Sequence, residues 1–406
     1  RTVVIADAVM GLDNVLAVAG AAHGSILLVV MGLLISVPIV IFGSTFILKL
    51  IERYPAFVYV GAGVLVVTAV KMVTAEPLLA SVLDGQPALV ALCYVIALAV
   101  VLAFGATQMS AVAAPPAASA AKKAVKLEDK YATSPDGVKI HYVASGKGPL
   151  VVMIHGFPDF SGSWVALTPK LNDAYRVVAI DTRGYNLSGQ PEGVENYKMP
   201  KLVADVQAVI EAEGYKKATI IGHDWGAAIS WEYAFAHPET LERLVILSVP
   251  HPDSFAVQLA TNKQQQQNSA YARNFQKEGS EKSLTAEGLA GWVQDPAMKP
   301  KYVEAFKRSS FAGMMNYYRA NYPDGTNAPA AGATPPEHPK INVPVLVIHG
   351  MKDTALLSAG HNNTWEHIGK DTTMLMVPDA GHFVQHDAEA LVNAEIRSWL
   401  DLHPVK

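Results

Sequence analysis

Apolar residues crowd the first quarter of the chain in four runs, Thr2–Ala21, Ser25–Leu50, Ala56–Val73 and Ala88–Ala106. Each is close to the ~20 residues a helix needs to span a bilayer. Very little polar sequence separates them, so residues 1–106 are expected to form about four transmembrane helices. The loop Lys49-Leu50-Ile51-Glu52-Arg53 is basic, whereas Thr74–Pro87 carries Glu76 and Asp84 and neither Lys nor Arg. The positive-inside rule puts the first of these in the cytoplasm. A fourth crossing then returns the chain there, in agreement with Lys122, Lys123 and Lys126 just beyond. A different reading treats the run from Ala88 as a secretory segment with a small-residue cleavage site at Ala117–Ala121. That would make the following domain periplasmic, but three earlier spans and the lack of a basic region before Ala88 argue against it.

Residues 107–129 are rich in Ala and Pro at first and read as a linker. From Lys130 the pattern changes to short apolar runs alternating with amphipathic stretches. Strands are expected at Val138–Val143, Leu150–Ile154, Arg176–Ile180, Ala218–Ile221, Leu244–Ser248, Val343–Ile348 and Thr373–Val377. Helices are expected at about Pro200–Glu213, Ala227–Ala236 and Asp387–Leu400. This alternation predicts an α/β domain, a mostly parallel sheet with helices on both faces. The strand pattern lapses over residues 252–342, a polar, helix-prone stretch containing Gln264–Gln267. It is too long for an ordinary loop and reads as a helical cap inserted between core segments 130–251 and 343–406.

Half of the 406 residues are hydrophobic and 17% are charged, with a net charge of −4. No basic tract is interleaved with aromatics, which excludes a nucleic-acid partner. Cys93 is the single cysteine, so no intramolecular disulfide forms and the compartment is not legible from cysteine usage. The chain starts at Arg1 rather than Met, as a fragment or processed product would. Oligomeric state is not legible either.

The chemistry is concentrated in Gly222-His223-Asp224-Trp225-Gly226, between a predicted strand and a predicted helix. A Gly-x-nucleophile-x-Gly turn in that setting is a nucleophile elbow, and Asp224 occupies the place usually held by Ser. A carboxylate there can displace a leaving group from a saturated carbon, giving an alkyl ester of the enzyme. Water can then attack the ester carbonyl. Two further residues follow strands in the order acid, base: Asp353 in His349-Gly350-Met351-Lys352-Asp353, and His382 in Asp379-Ala380-Gly381-His382-Phe383. All three lie at strand C-termini, where open α/β sheets place their sites. His382 is the expected base and Asp353 its orienting partner, with Asp253 as the alternative acid. His155-Gly156-Phe157-Pro158 closes another strand, and the amides of Phe157 and Trp225 are the expected oxyanion donors. His155 and Pro158 belong to that wall of the site. No metal or organic cofactor is required.

With those motifs and Asp181-Thr182-Arg183-Gly184-Tyr185, the region from about Lys130 to the C-terminus resembles the epoxide hydrolases of the α/β-hydrolase superfamily. The resemblance implies two cap tyrosines over the nucleophile: Tyr271, in a Tyr-x-x-x-Phe-Gln pattern with Phe275 and Gln276, and Tyr318, in Asn316-Tyr317-Tyr318-Arg319. Phenol hydroxyls there would protonate the alkoxide that epoxide opening generates. Tyr317 is the neighbouring decoy. Hydrolytic dehalogenases share the core. The fluoroacetate enzymes carry Arg directly after the nucleophile, whereas Trp225 here suits a small uncharged epoxide. The first 106 residues resemble the C-terminal half of TerC-family integral membrane proteins through Ala6-Asp7, Leu12-Asp13-Asn14-Val15-Leu16-Ala17-Val18-Ala19 and Phe42-Gly43-Ser44-Thr45. That implies either a membrane anchor or, through Asp7, Asp13 and Asn14, part of a metal-ion path, since oxygen ligands suit hard cations.

Overall fold

A computed structural model of the chain describes residues 126–323 and 338–405, with a few earlier positions (70, 86, 89–91 and 94). The expected membrane spans fall almost wholly outside the described residues, as do Asp7, Asp13 and Asn14. Among the described residues no helix is long and apolar enough to cross a membrane.

Residues from Ala124 onward form a compact unit of their own. Its eight strands are β1 Glu128–Thr133, β2 Lys139–Ser145, β3 Leu150–Ile154, β4 Arg176–Ile180, β5 Ala218–His223, β6 Leu241–Leu247, β7 Val345–Gly350 and β8 Thr372–Val377. They lie in the order β1-β2-β4-β3-β5-β6-β7-β8. β1 and β2 are antiparallel, as are β2 and β4, and every later pair is parallel. β1 starts inside the stretch read as linker. Its sequence, Glu-Asp-Lys-Tyr-Ala-Thr, lacks an apolar alternation because it is an edge strand, and charged side chains keep such an edge from pairing with other chains.

The central strands are continuous apolar runs because both faces are covered. In β3, Leu150, Val152 and Ile154 enter one core, with α1 (Met199–Ala212) and α2 (Trp225–Ala236). Val151 and Met153 point to the opposite core. There they join Trp164, Leu171 and the Ile396, Trp399 and Leu400 side of the C-terminal helix Glu389–Leu402. The period-two alternation of a strand therefore divides one hydrophobic run between two layers.

The described part of the stretch between β6 and β7 is largely helical, with short links between the helices and a non-helical return through residues 338–344. It contains α3 (Pro252–Thr261), α4 (Lys263–Asn268), α5 (Ala270–Gln276), α6 (Lys299–Lys307) and α7 (Phe311–Asn321). This helical stretch meets the sheet part of the domain at Arg183, whose side chain is bonded within the sheet part and whose backbone carbonyl receives the helical stretch. Arg183 forms a two-point pair with Asp205 of α1, 2.7 and 2.6 Å, and reaches Asp136 at 2.9 Å. Its carbonyl accepts the Tyr317 hydroxyl of α7 at 2.8 Å.

Candidate active site

Strand β5 ends at His223, and the chain turns through Asp224 at φ 51°, ψ −123° before α2 begins at Trp225. A non-glycine residue with φ in that range is strained. The turn is permitted by its neighbours. A Cβ at Gly226 would run into the Ile154 carbonyl, and one at Gly156 would run into the Asp224 side chain itself. Glycine at these two places lets β3 and the elbow approach until the backbone of one touches the carboxylate of the other.

The Asp224 carboxylate is held from two sides. Oδ1 accepts the Phe157 amide at 2.6 Å, and Oδ2 lies 3.2 Å from His382 Nε2. His382 Nδ1 lies 2.7 Å from Asp353 Oδ2. The other Asp353 oxygen accepts the amides of Ala355 and Leu356 at 2.7 and 2.9 Å. The structure thus brings Asp224, His382 and Asp353 into one hydrogen-bonded line. Asp253 stands elsewhere, taken up by His338, whose Nδ1 is 2.6 Å from Oδ1 and whose amide donates to Oδ2 at 3.1 Å.

Electrostatics follow from this line. Burial pushes the Asp224 carboxyl up, but the hydrogen bond and charge of His382 and the Phe157 amide outweigh it and hold the group below the usual carboxylate range. Burial likewise raises Asp353, and the His382 charge reverses the sign. Burial would lower His382, yet the charge of Asp353 and the hydrogen bonds to Asp224 and Asp353 lift it to about 10. The site is therefore an imidazolium between two carboxylates, with Asp224 ionised.

Two groups not singled out from the sequence fix His382 from behind. His223 Nε2 donates to the His382 carbonyl at 2.8 Å, and the Ser248 hydroxyl donates to the same oxygen at 2.7 Å. Burial and the His382 charge push His223 down to about 4, so it stays neutral. Its place beside Asp224 in the motif was the available signal.

The oxyanion wall differs in part from expectation. The Phe157 amide is on the carboxylate, and Trp225, as the first helical residue, has an amide without an intrahelical acceptor. His155 faces away from the cavity. Its Nε2 accepts the Thr182 amide at 3.1 Å, and its Nδ1 lies 2.8 Å from the Gly156 carbonyl. These two bonds make His155 a buried brace between β3 and the chain after β4. Pro158 follows a cis peptide bond, and its carbonyl accepts the Trp292 indole N–H at 3.2 Å.

Above Asp224 lies a cavity of about 220 Å³ whose walls include Trp225, Trp231, Phe255, Leu259, Tyr271, Tyr318 and Leu356. The Tyr271 and Tyr318 rings meet edge-on, centroids 6.1 Å apart, and Tyr318 also meets Trp225 at 5.1 Å. Phe275 packs between them, 5.7 Å from Tyr271 and 5.1 Å from Tyr318. Gln276 donates to the carbonyls of Tyr318 and Tyr322, pinning the end of α7. That explains the spacing: one face of α5 carries a tyrosine, the ring that wedges it and the amide that fixes the second tyrosine's helix. Burial first, and the Asp224 charge second, hold both phenols well above their ordinary value. They remain protonated donors. Tyr317 turns into the core, its hydroxyl on the Arg183 carbonyl.

Comparison with known proteins agrees with this architecture. Residues 149–389 match the family model of the alpha/beta hydrolase fold, and residues 1–111 match that of the integral membrane protein TerC family. The chain is 32% identical over 292 residues to epoxide hydrolase 1 of Caenorhabditis elegans, covering 65% of this chain and 68% of that protein. It is 33% identical over 281 residues to the AB hydrolase superfamily protein YfhM of Bacillus subtilis (strain 168), covering 65% and 95%. Among solved structures, it is similar to a variant of an epoxide hydrolase from Bacillus megaterium complexed with its diol product. That similarity has a TM-score of 0.62 and 31% identity, over 67% of this chain and 100% of that one.

Proposed function

We propose, from the premise that this chain belongs to the alpha/beta hydrolase fold family, that it opens small uncharged epoxides to vicinal diols through a covalent ester on Asp224. The chain is an epoxide-hydrolase-like enzyme, and its N-terminal residues belong to an integral membrane family. One observation carries the mechanism: an ionised Asp, rather than Ser, sits at the elbow with an amide on one oxygen and an imidazolium on the other, beneath two protonated phenols.

The steps follow from charge. An Asp224 oxygen attacks an epoxide carbon, the C–O bond breaks, and the leaving alkoxide takes a proton from Tyr271 or Tyr318. The product is an alkyl ester, and the negative charge on Asp224 is gone. With it go one of the two carboxylates and one of the two hydrogen bonds that keep His382 protonated. Burial then has only Asp353 to oppose it, so the imidazolium passes its proton back to the phenolate left by the first step, which restores the phenol and leaves His382 neutral and able to act as a base. Water deprotonated by His382 attacks the ester carbonyl. The Phe157 amide, already on an Asp224 oxygen, and the Trp225 amide take up the oxyanion. Collapse of that intermediate breaks the ester C–O bond, the departing oxygen takes the proton of the new carboxyl group to complete the diol, and the carboxylate and the imidazolium are restored. Asp353 holds the ring tautomer and stabilises the imidazolium. Neither metal nor organic cofactor enters these steps.

Membrane attachment through residues 1–106, with the hydrolase domain at 130–251 and 343–406, the cap at 252–342 and the cytoplasm as its compartment, completes the proposal. The test is a product assay on the full chain with styrene oxide and with a haloalkane. Diol from the first and no halide from the second is the expected result. Halide release without diol would reassign the same residues to dehalogenation.

A further inference from the structure

The cavity follows one face of the nucleophile's own helix. Asp224, Trp225, Ala228, Trp231 and Glu232 all line it, a spacing of one, four, seven and eight that keeps them on one side of a helix. Glu232 therefore stands at the far end from Asp224, roughly 12 Å along the helix axis at 1.5 Å per residue.

Glu232 is out of keeping with its surroundings. The wall between the two carboxylates is apolar, with Trp231, Phe255 and Leu259 among its residues. Glu232 is half-buried and makes no hydrogen bond or ion pair among the described residues. The two groups that bear on it electrostatically are His338, which lowers its carboxyl, and Asp253, which raises it, and these are already bonded to each other at 2.6 Å. Burial raises the Glu232 carboxyl above its ordinary value. A carboxylate offers only acceptors, and a half-buried one without a donor is costly. A ligand that reaches the end of this cavity and brings an O–H would supply the missing donor.

We propose that Glu232 forms a distal polar subsite of the substrate cavity, selecting uncharged epoxides that carry a hydroxyl at the end of an extended apolar chain. This rests on the epoxide-opening reading of Asp224. The apolar wall holds the chain, the elbow end takes the oxirane, and the Glu232 carboxylate accepts the terminal hydroxyl.

The experiment uses two ten-carbon terminal epoxides, one ending in a hydroxyl and one in a methyl group, with the full-length protein and its Glu232→Leu and Glu232→Gln variants. The readout is the ratio of kcat/KM for the two substrates within each preparation, so partial loss of folded protein cancels. The wild-type ratio is expected to favour the hydroxylated substrate. It should fall about tenfold in Glu232→Leu, the scale of a hydrogen bond to a charged group, and less in Glu232→Gln, which keeps an acceptor. Equal ratios in wild type and Glu232→Leu, with diol formed from both substrates, would overturn the subsite and leave the epoxide reading intact. No diol from either substrate would overturn the epoxide reading, and the subsite with it.

Discussion

Replacing His382 with Gln is expected to stop turnover after a single equivalent of epoxide, leaving the substrate bonded to Asp224. In the proposed scheme, attack on the epoxide carbon needs the carboxylate and the two phenols above it. Only the second half-reaction needs a base, and general-base help is worth roughly 10²–10⁴ in rate. Intact-protein mass spectrometry should show an increase equal to the whole substrate mass. Peptide mapping should place it on Asp224. An unmodified protein that has opened no epoxide would remove the ester from the scheme. The wild-type enzyme gives a companion test in pH. Free His382 is held at about 10 by Asp353 and Asp224, and esterification removes the Asp224 part of that support. The rate of ester hydrolysis in a single turnover should therefore rise with pH through a midpoint well below 10, as the imidazole becomes neutral. A midpoint equal to that of the free enzyme would mean that the nucleophile's charge does not control the base.

Changing Tyr271 and Tyr318 to Phe is expected to have the second-largest effect, confined to the first half-reaction. Each phenol is a protonated donor in the wall above Asp224, and removing one should slow alkylation by about 10². In the His382→Gln background, appearance of the adduct reports alkylation alone, so the double Phe variant should form adduct too slowly to accumulate. Tyr317→Phe is the control. Its hydroxyl bonds the Arg183 carbonyl within the core, so its loss should cost about 1 kcal/mol of stability and leave adduct formation in place. Rapid adduct formation without both cap hydroxyls would show that the alkoxide takes its proton elsewhere.

The elbow was legible because its geometry makes sequence demands: glycines where β3 and α2 crowd the carboxylate, and an apolar run on each side. The central strands were legible for a related reason, since a doubly covered strand must be apolar throughout. β1 was not, because an edge strand meets other needs and carries Glu128, Asp129 and Lys130. Asp353 and Asp253 were both open as acids on sequence grounds, since each follows a strand. Their distinction is three-dimensional, one carboxylate lying on His382 and the other on His338. His155 illustrates the converse. The motif located the right strand end, but which group faces the cavity is decided by the Thr182 amide that takes the ring. His223 and Ser248 act through a backbone carbonyl, which leaves no signature in residue type. Tyr318 was separable from Tyr317 only through the family pattern, since both sit on α7 and a helix face can be rotated by one residue without changing its composition.

In the proposed scheme water meets the enzyme's own carboxyl carbon rather than the epoxide. A single turnover in heavy-oxygen water, with protein in excess over substrate, tests this most directly. The first diol is expected to carry only ordinary oxygen, with the label in the side chain of Asp224. Label in the diol from the first turnover, with Asp224 unlabelled, would contradict the scheme.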